Sequence, residues 1–205
     1  MLAAHQKVLG MLSGEQHITT GLVCSVRPEI NDADSALGVF LNTLPLPVQL
    51  HGGTWADLIL QAFDAECELL KFRFYPLAQI QHDHKGQALF DAVFHYVHFH
   101  NVSDLAQSRQ FEALEWVDHI QPNFELEIAF QLDVKLSQIR LLVSGNGRRL
   151  DEKQIYAASD YLMDILAQIA QSPRERYDYR SFLTGAEQQK LLGDWNATEA
   201  AYPKD

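Results

Sequence analysis

The chain has 205 residues, of which 47% are apolar and 21% charged, an ordinary balance for a soluble globular domain. It is long enough to bury a sizeable core, which excludes collagen, a disordered tail and a disulfide-stapled miniprotein. Sixteen Lys and Arg stand against 27 Asp and Glu, for a formal net charge of -11. With no basic cluster longer than Arg148-Arg149, nucleic acid and anionic membrane are poor partners.

Leu2, Val8, Leu9 and Leu12 recur at helical spacing, and Ser13-Gly14 ends that first helix. It opens mid-pattern without a capping residue, so Met1 reads as an unnatural domain start. Ile18 to Val26 is a strand, closed by Arg27-Pro28. Leu37 to Leu50 is apolar but holds Pro45 and Pro47. Proline donates no ladder hydrogen bond, so this strand frays or lies at a sheet edge.

Thr54 caps a second helix, with Asp57 at the capping-box position. Trp55, Leu58, Ile59, Ala62, Phe63 and Leu70 are expected on one buried face. Pro76 opens a short helix, Leu77 to Gln81. Gln87 to His100 is apolar on both faces and reads as an interior strand. Beyond a polar loop, Phe111 to Val117 is a further expected strand. Phe124 to Val134 alternates apolar and polar residues, a strand with one wet face. Ile139, Leu141 and Val143 mark the next strand, and Gly145-Asn146-Gly147 turns the chain. Asp151 caps a long helix with an apolar stripe of Ile155, Ala158, Leu162, Ile165, Leu166 and Ile169. Gly185 to Leu192 is a last short helix, and Asp194 to Asp205 reads as a linker. The fold class is α/β, a two-layer sandwich of a mixed sheet with helices packed on it.

Chemistry is harder to find. Cys24 and Cys67 lie far apart and read as two reduced, buried apolar residues in a cytoplasmic protein. No charged leader and no apolar run of membrane-spanning length is present. His98 and His100 would point the same way from a strand end, either as two ligands of a metal or as a polar sheet rim. His82-Asp83-His84 reads as a solvated turn. There is no Gly-x-Ser-x-Gly elbow, no phosphate-cradling glycine loop and no His-Glu-x-x-His. The Asn101 and Asn196 glycosylation triplets are read as chance.

Several stretches in order resemble a known family. Leu37-Gly38-Val39-Phe40-Leu41-Asn42-Thr43-Leu44-Pro45-Leu46 resembles the Gly-x-Phe-x-Asn-Thr-Leu-Pro motif of condensation domains of nonribosomal peptide synthetases. Thr20-Gly21-Leu22-Val23 and Arg27-Pro28-Glu29 match what precedes that motif. Tyr75-Pro76-Leu77-Ala78-Gln79-Ile80 and Leu89-Phe90-Asp91-Ala92-Val93-Phe94 resemble segments that follow it. Leu191 to Thr198 and Tyr202-Pro203 look like the junction to a following adenylation domain.

The resemblance implies a chloramphenicol-acetyltransferase-like lobe. Such a domain pairs two lobes in a V, and the first carries a His-His-x-x-x-Asp-Gly motif whose second histidine is catalytic. That motif is absent here, so the chain resembles the second lobe alone, residues 1–182, followed from 183 to 205 by the start of a linker. The family joins acyl or peptidyl and aminoacyl groups held as thioesters on the phosphopantetheine arms of carrier proteins. The implied partners are the first lobe, carrier proteins and an adenylation domain, with no cofactor held by the chain itself; the alternative to a cleft wall in amide formation is a non-catalytic module that docks carrier proteins. Asn42, Thr43 and Arg27 match family positions and are the expected cleft residues. Asn42 could orient a thioester carbonyl or a pantetheine amide, or satisfy backbone groups at its own strand. Arg27 could line the cleft or form a surface or interlobe ion pair. Pro47 stands where the family usually carries arginine, so no ionic role transfers there.

Overall fold

The computed structural model describes residues 1–33, 36–97, 123–133, 137–178 and 185–198. Among these residues five strands form one mixed sheet. They are β1 (His17–Ser25), β2 (Leu41–Gln49), β3 (Ala92–Val97), β4 (Leu126–Asp133) and β5 (Gln138–Gly145), in the order β2-β1-β3-β4-β5. β1 runs antiparallel to β2 and parallel to β3; β3 is parallel to β4, and β4 antiparallel to β5. The helices are α1 (Leu2–Ser13), α2 (Trp55–Leu70), α3 (Leu77–Asp83), α4 (Glu152–Gln171) and α5 (Gly185–Leu192). The two expected layers are present.

β2 lies at the sheet edge and pairs with β1 along its whole length, so it does not fray. The register explains the prolines. Val26 N–H donates to the Phe40 carbonyl and Leu50 N–H to the Gln16 carbonyl. Hydrogen-bonded pairs therefore fall on the even-numbered residues of both strands. Pro45 and Pro47 sit at the alternate positions, where a missing N–H costs the ladder nothing.

One sheet face is covered. Leu22, Leu46, Phe94, Ile128 and Phe130 meet Val8, Trp55, Leu58, Leu162 and Ile165 in the core. Tilted aromatic contacts continue through it, with Phe94 and Phe130 centroids 5.9 Å apart. Both long helices carry full capping boxes, Thr54 with Asp57 and Asp151 with Gln154. α1 has no side-chain N-cap and stops at Gly14, whose φ of 72° is the left-handed closure glycine tolerates. β3 is central, as its two apolar faces predict, but starts at Ala92 rather than Gln87; His98 to His100 lie outside the described residues. The strand expected at Phe111 to Val117 lies outside the described residues.

Three expectations need correction. In α2 only Trp55, Leu58 and Ala62 of the expected face are buried; Ile59 and Phe63 are exposed. Periodicity shows where apolar residues recur but not which stripe meets the sheet. Cys67 lies on the same outward side and is exposed, whereas Cys24 is buried. His82 belongs to the last turn of α3, which runs on to Asp83, rather than to a loop.

Candidate functional site

Asn42 and Thr43 are consecutive in β2, so their side chains leave opposite faces of the sheet. Asn42 shares the covered face with Leu44, Leu46 and Val48, at the end of that row. It lies opposite Cys24, and Thr43 opposite Val23. The two residues therefore cannot line one continuous wall on the same sheet face.

The Asn42 amide is engaged by the connector between α2 and α3. Its Nδ2 donates to the Arg73 carbonyl at 2.9 Å and to the Tyr75 carbonyl at 2.8 Å. Its Oδ1 accepts from the Leu77 N–H at 3.3 Å. The chemistry of the connector accounts for this. Tyr75 precedes proline and is held away from helical backbone, so its carbonyl is free to face a side chain. Pro76 has no N–H, and Leu77 offers the first orphan donor of α3.

Arg27 knits the loop between β1 and β2. Its Nη1 donates to the Ala33 carbonyl at 2.6 Å and the Ala36 carbonyl at 2.9 Å, and its guanidinium lies 4.3 Å from the Phe40 ring centroid. The contacts are with backbone and an aromatic face, the planar recognition that suits arginine. Arg73 then joins this loop to the connector through an ion pair with Glu29. Phe72 and Phe74 stand exposed beside it, and Leu37 and Val39 project from the loop. A hydrogen-bonded frame thus carries an apolar rim. Sequence reasoning singled out Asn42 and Arg27 but not Arg73, whose partner is 44 positions away.

The titratable groups nearby are poor nucleophiles or bases. Burial pushes the Cys24 thiol up, and its Sγ lies 3.5 Å from the Asn42 carbonyl, so it remains a protonated thiol. The hydrogen bond to Asp83 raises the Tyr75 phenol above its ordinary value. His5 is fully buried, and desolvation pushes it down to about 3, so it is neutral. The Thr20 hydroxyl donates to the Ala92 carbonyl and must therefore accept from His5 Nε2–H, at 2.7 Å. His5 Nδ1 is left without a partner, sealed from solvent. His95 is half-buried in β3, with its imidazolium disfavoured by burial.

Among the described residues no three His, Cys, Asp or Glu side chains are grouped to hold a metal ion. His98 and His100 lie outside those residues. No described helix is long and apolar enough to cross a membrane. A groove of about 560 Å³, lined by Leu12, Phe90, Leu126 and Leu150 among others, opens at the end of the sheet opposite Asn42.

The Condensation domain family model matches residues 1–192. The chain is 27% identical over 203 residues to a linear gramicidin synthase of Brevibacillus parabrevis, covering 97% of this chain and 4% of that one. It is 24% identical over 212 residues to surfactin synthase subunit 1 of Bacillus subtilis, covering all of this chain and 6% of the relative. The chain thus spans a small fraction of these synthases. Its fold matches the condensation domain of the monacolin K polyketide synthase MokA with a TM-score of 0.70 at 17% identity, over 85% of this chain and 41% of that one.

Proposed function

The chain belongs to the condensation-domain family, and we propose that it acts as the second lobe of such a domain in a nonribosomal peptide synthetase. One observation carries this. The family match runs through residues 1–192, yet nowhere in 205 residues is there a His-His-x-x-x-Asp-Gly. The length supports it as well, since the matched portion is 41% of a solved condensation domain. Residues 183–205 are the start of the linker in this proposal.

The reaction is amide formation between two carrier-bound thioesters. The acceptor amine attacks the donor thioester carbonyl, the C–N bond forms, the C–S bond breaks, and the donor arm leaves as a free thiol. The amine gives up a proton, for which the first lobe supplies the acceptor. Two tethered partners need positioning more than strong acid–base chemistry, and positioning is what this lobe provides. The side chain of Asn42 acts as a positioning residue. Its amide holds the connector that presents Phe72 and Phe74, and an apolar wall of that kind suits a pantetheine arm. Arg27 and Arg73 fix the facing loop. The Thr43 face is left to contacts with the first lobe. Phosphopantetheine is cargo on the carrier proteins here, and a downstream adenylation domain is the neighbour beyond the linker.

The test is a chimera that fuses this chain to the first lobe of a relative, assayed with donor- and acceptor-loaded carrier proteins by intact-protein mass spectrometry. Transfer of the donor acyl group onto the acceptor carrier supports the proposal. No transfer from a folded chimera whose parent enzyme is active contradicts it.

A further inference from the structure

Helix α2 carries a second apolar seam on its solvent side. Its inner seam, Trp55, Leu58 and Ala62, with Leu69 half-buried behind, faces the core. Leu60, Phe63, Cys67 and Leu70 follow one another at intervals of three, four and three along the outer side. This is the spacing of a coiled-coil stripe. Leu60 is 61% and Phe63 59% exposed, Cys67 is exposed, and Ile59 extends the stripe at its margin. A helix apolar on two sides has the pattern of one buried between partners.

The flanks say what the partner must be. Between Trp55 and Leu70 there is no lysine or arginine, but four carboxylates, Asp57, Asp64, Glu66 and Glu68. Asp64 borders the seam on one side in the open; Glu66, on the other, is half-buried and lies within electrostatic reach of the Met1 ammonium, so the exposed Asp57, Asp64 and Glu68 side sets the charge. The first cation, Lys71, is neutralised by Glu68 at 2.6 Å. A second copy of α2 would set carboxylates against carboxylates. We propose that this face docks an amphipathic helix of another chain or domain whose apolar stripe is bordered by lysine and arginine. The helix, about 24 Å long for 16 residues, takes a partner of a little over two heptads, which a three-heptad peptide spans. Helix-on-helix packing supplies the affinity, and the acidic borders choose the partner. Docking at this face does not depend on the condensation reaction.

The 205-residue protein is titrated by calorimetry with two synthetic three-heptad peptides, identical in their leucine stripe and carrying lysine or glutamate at the flanking positions. The lysine peptide is expected to bind at least about tenfold more tightly than the glutamate peptide. Leu60→Gln with Phe63→Gln removes its binding, with far-UV circular dichroism unchanged. Asp64→Lys narrows the preference. In the unsubstituted protein, bound lysine peptide slows alkylation of Cys67, a readout that needs no variant. Four results overturn the proposal. They are no binding of the lysine peptide, binding that survives the double substitution, binding that leaves Cys67 equally reactive, and a concentration-dependent dimer abolished by Phe63→Gln, which would make a second copy the occupant.

Discussion

The Asn42 side-chain amide nitrogen stands 2.8 Å from the Tyr75 carbonyl oxygen, a bond that ties the edge strand to a residue 33 positions later. With its bonds to Arg73 and Leu77, the amide closes the connector against β2. Asn42→Ala removes three hydrogen bonds and is expected to cost about 2–3 kcal/mol in urea unfolding. Asn42→Asp is expected to cost more, because a carboxylate would face two carbonyls that have lost their donors. A cost for Asn42→Ala below about 0.5 kcal/mol would assign the connector's position to other contacts.

His5 makes the fold acid-sensitive. Its ordinary value is 6.5, and burial lowers it to about 3. Below pH 6.5 the unfolded chain takes up a proton that the folded chain refuses until about pH 3. The unfolded state then binds more protons, so stability falls as pH falls across that window, by up to about 1.4 kcal/mol per unit. His5→Leu keeps an apolar neighbour for Phe94 and removes this component. Urea midpoints of the two proteins, followed from about pH 7 to about pH 5, should fall more steeply for the parent. Equal slopes would show that His5 is protonated in the folded state.

Arg27 is expected to hold the loop before Asn42 through geometry rather than charge alone. Arg27→Lys keeps the cation but cannot span the Ala33 and Ala36 carbonyls while covering the Phe40 ring. Limited proteolysis between residues 27 and 40 should then be faster than in the parent, with the global unfolding midpoint little changed. An unchanged cleavage rate would mean that the loop is held without the guanidinium.

Gly21 permits the approach of Phe90 to the sheet. A Cβ built at Gly21 would fall within contact of three Phe90 ring atoms, closer than real Cβ atoms come. Gly21→Ala is expected to destabilise by about 1–3 kcal/mol, and Phe90→Leu on that background should recover part of the loss. Strictly additive effects in thermal denaturation would rule out the clash.

Much of the scaffold was legible from local rules. Strict alternation through Leu126, Ile128 and Phe130 identified β4 and its buried face. Thr54 with Asp57 and Asp151 marked helix starts because a cap is decided within four residues. Pro45 and Pro47 left β2 either to fray or to lie at an edge, because a missing N–H leaves few alternatives, and the edge is where it lies. What escaped was decided at long range. Asn42 was picked out by its place in the motif that resembles the condensation family, but its partners are 31 to 35 positions away and are set by how α2 and α3 pack. Arg27 was expected to line the cleft or to form an ion pair; its contacts are with the Ala33 and Ala36 carbonyls, whose positions no side-chain pattern encodes. The faces of α2 were assigned together because Ile59 and Phe63 are as apolar as Leu58 and Ala62. Only the sheet distinguishes them.

In the proposed function the proton acceptor of the reaction lies outside this chain. The direct measurement is a single-turnover assay of the 205-residue protein alone with donor-loaded and acceptor-loaded carriers. Transfer is followed by the mass of the acceptor carrier. No transfer above the rate without protein is expected. Sustained transfer by the lone chain would contradict the assignment of the acceptor to the first lobe.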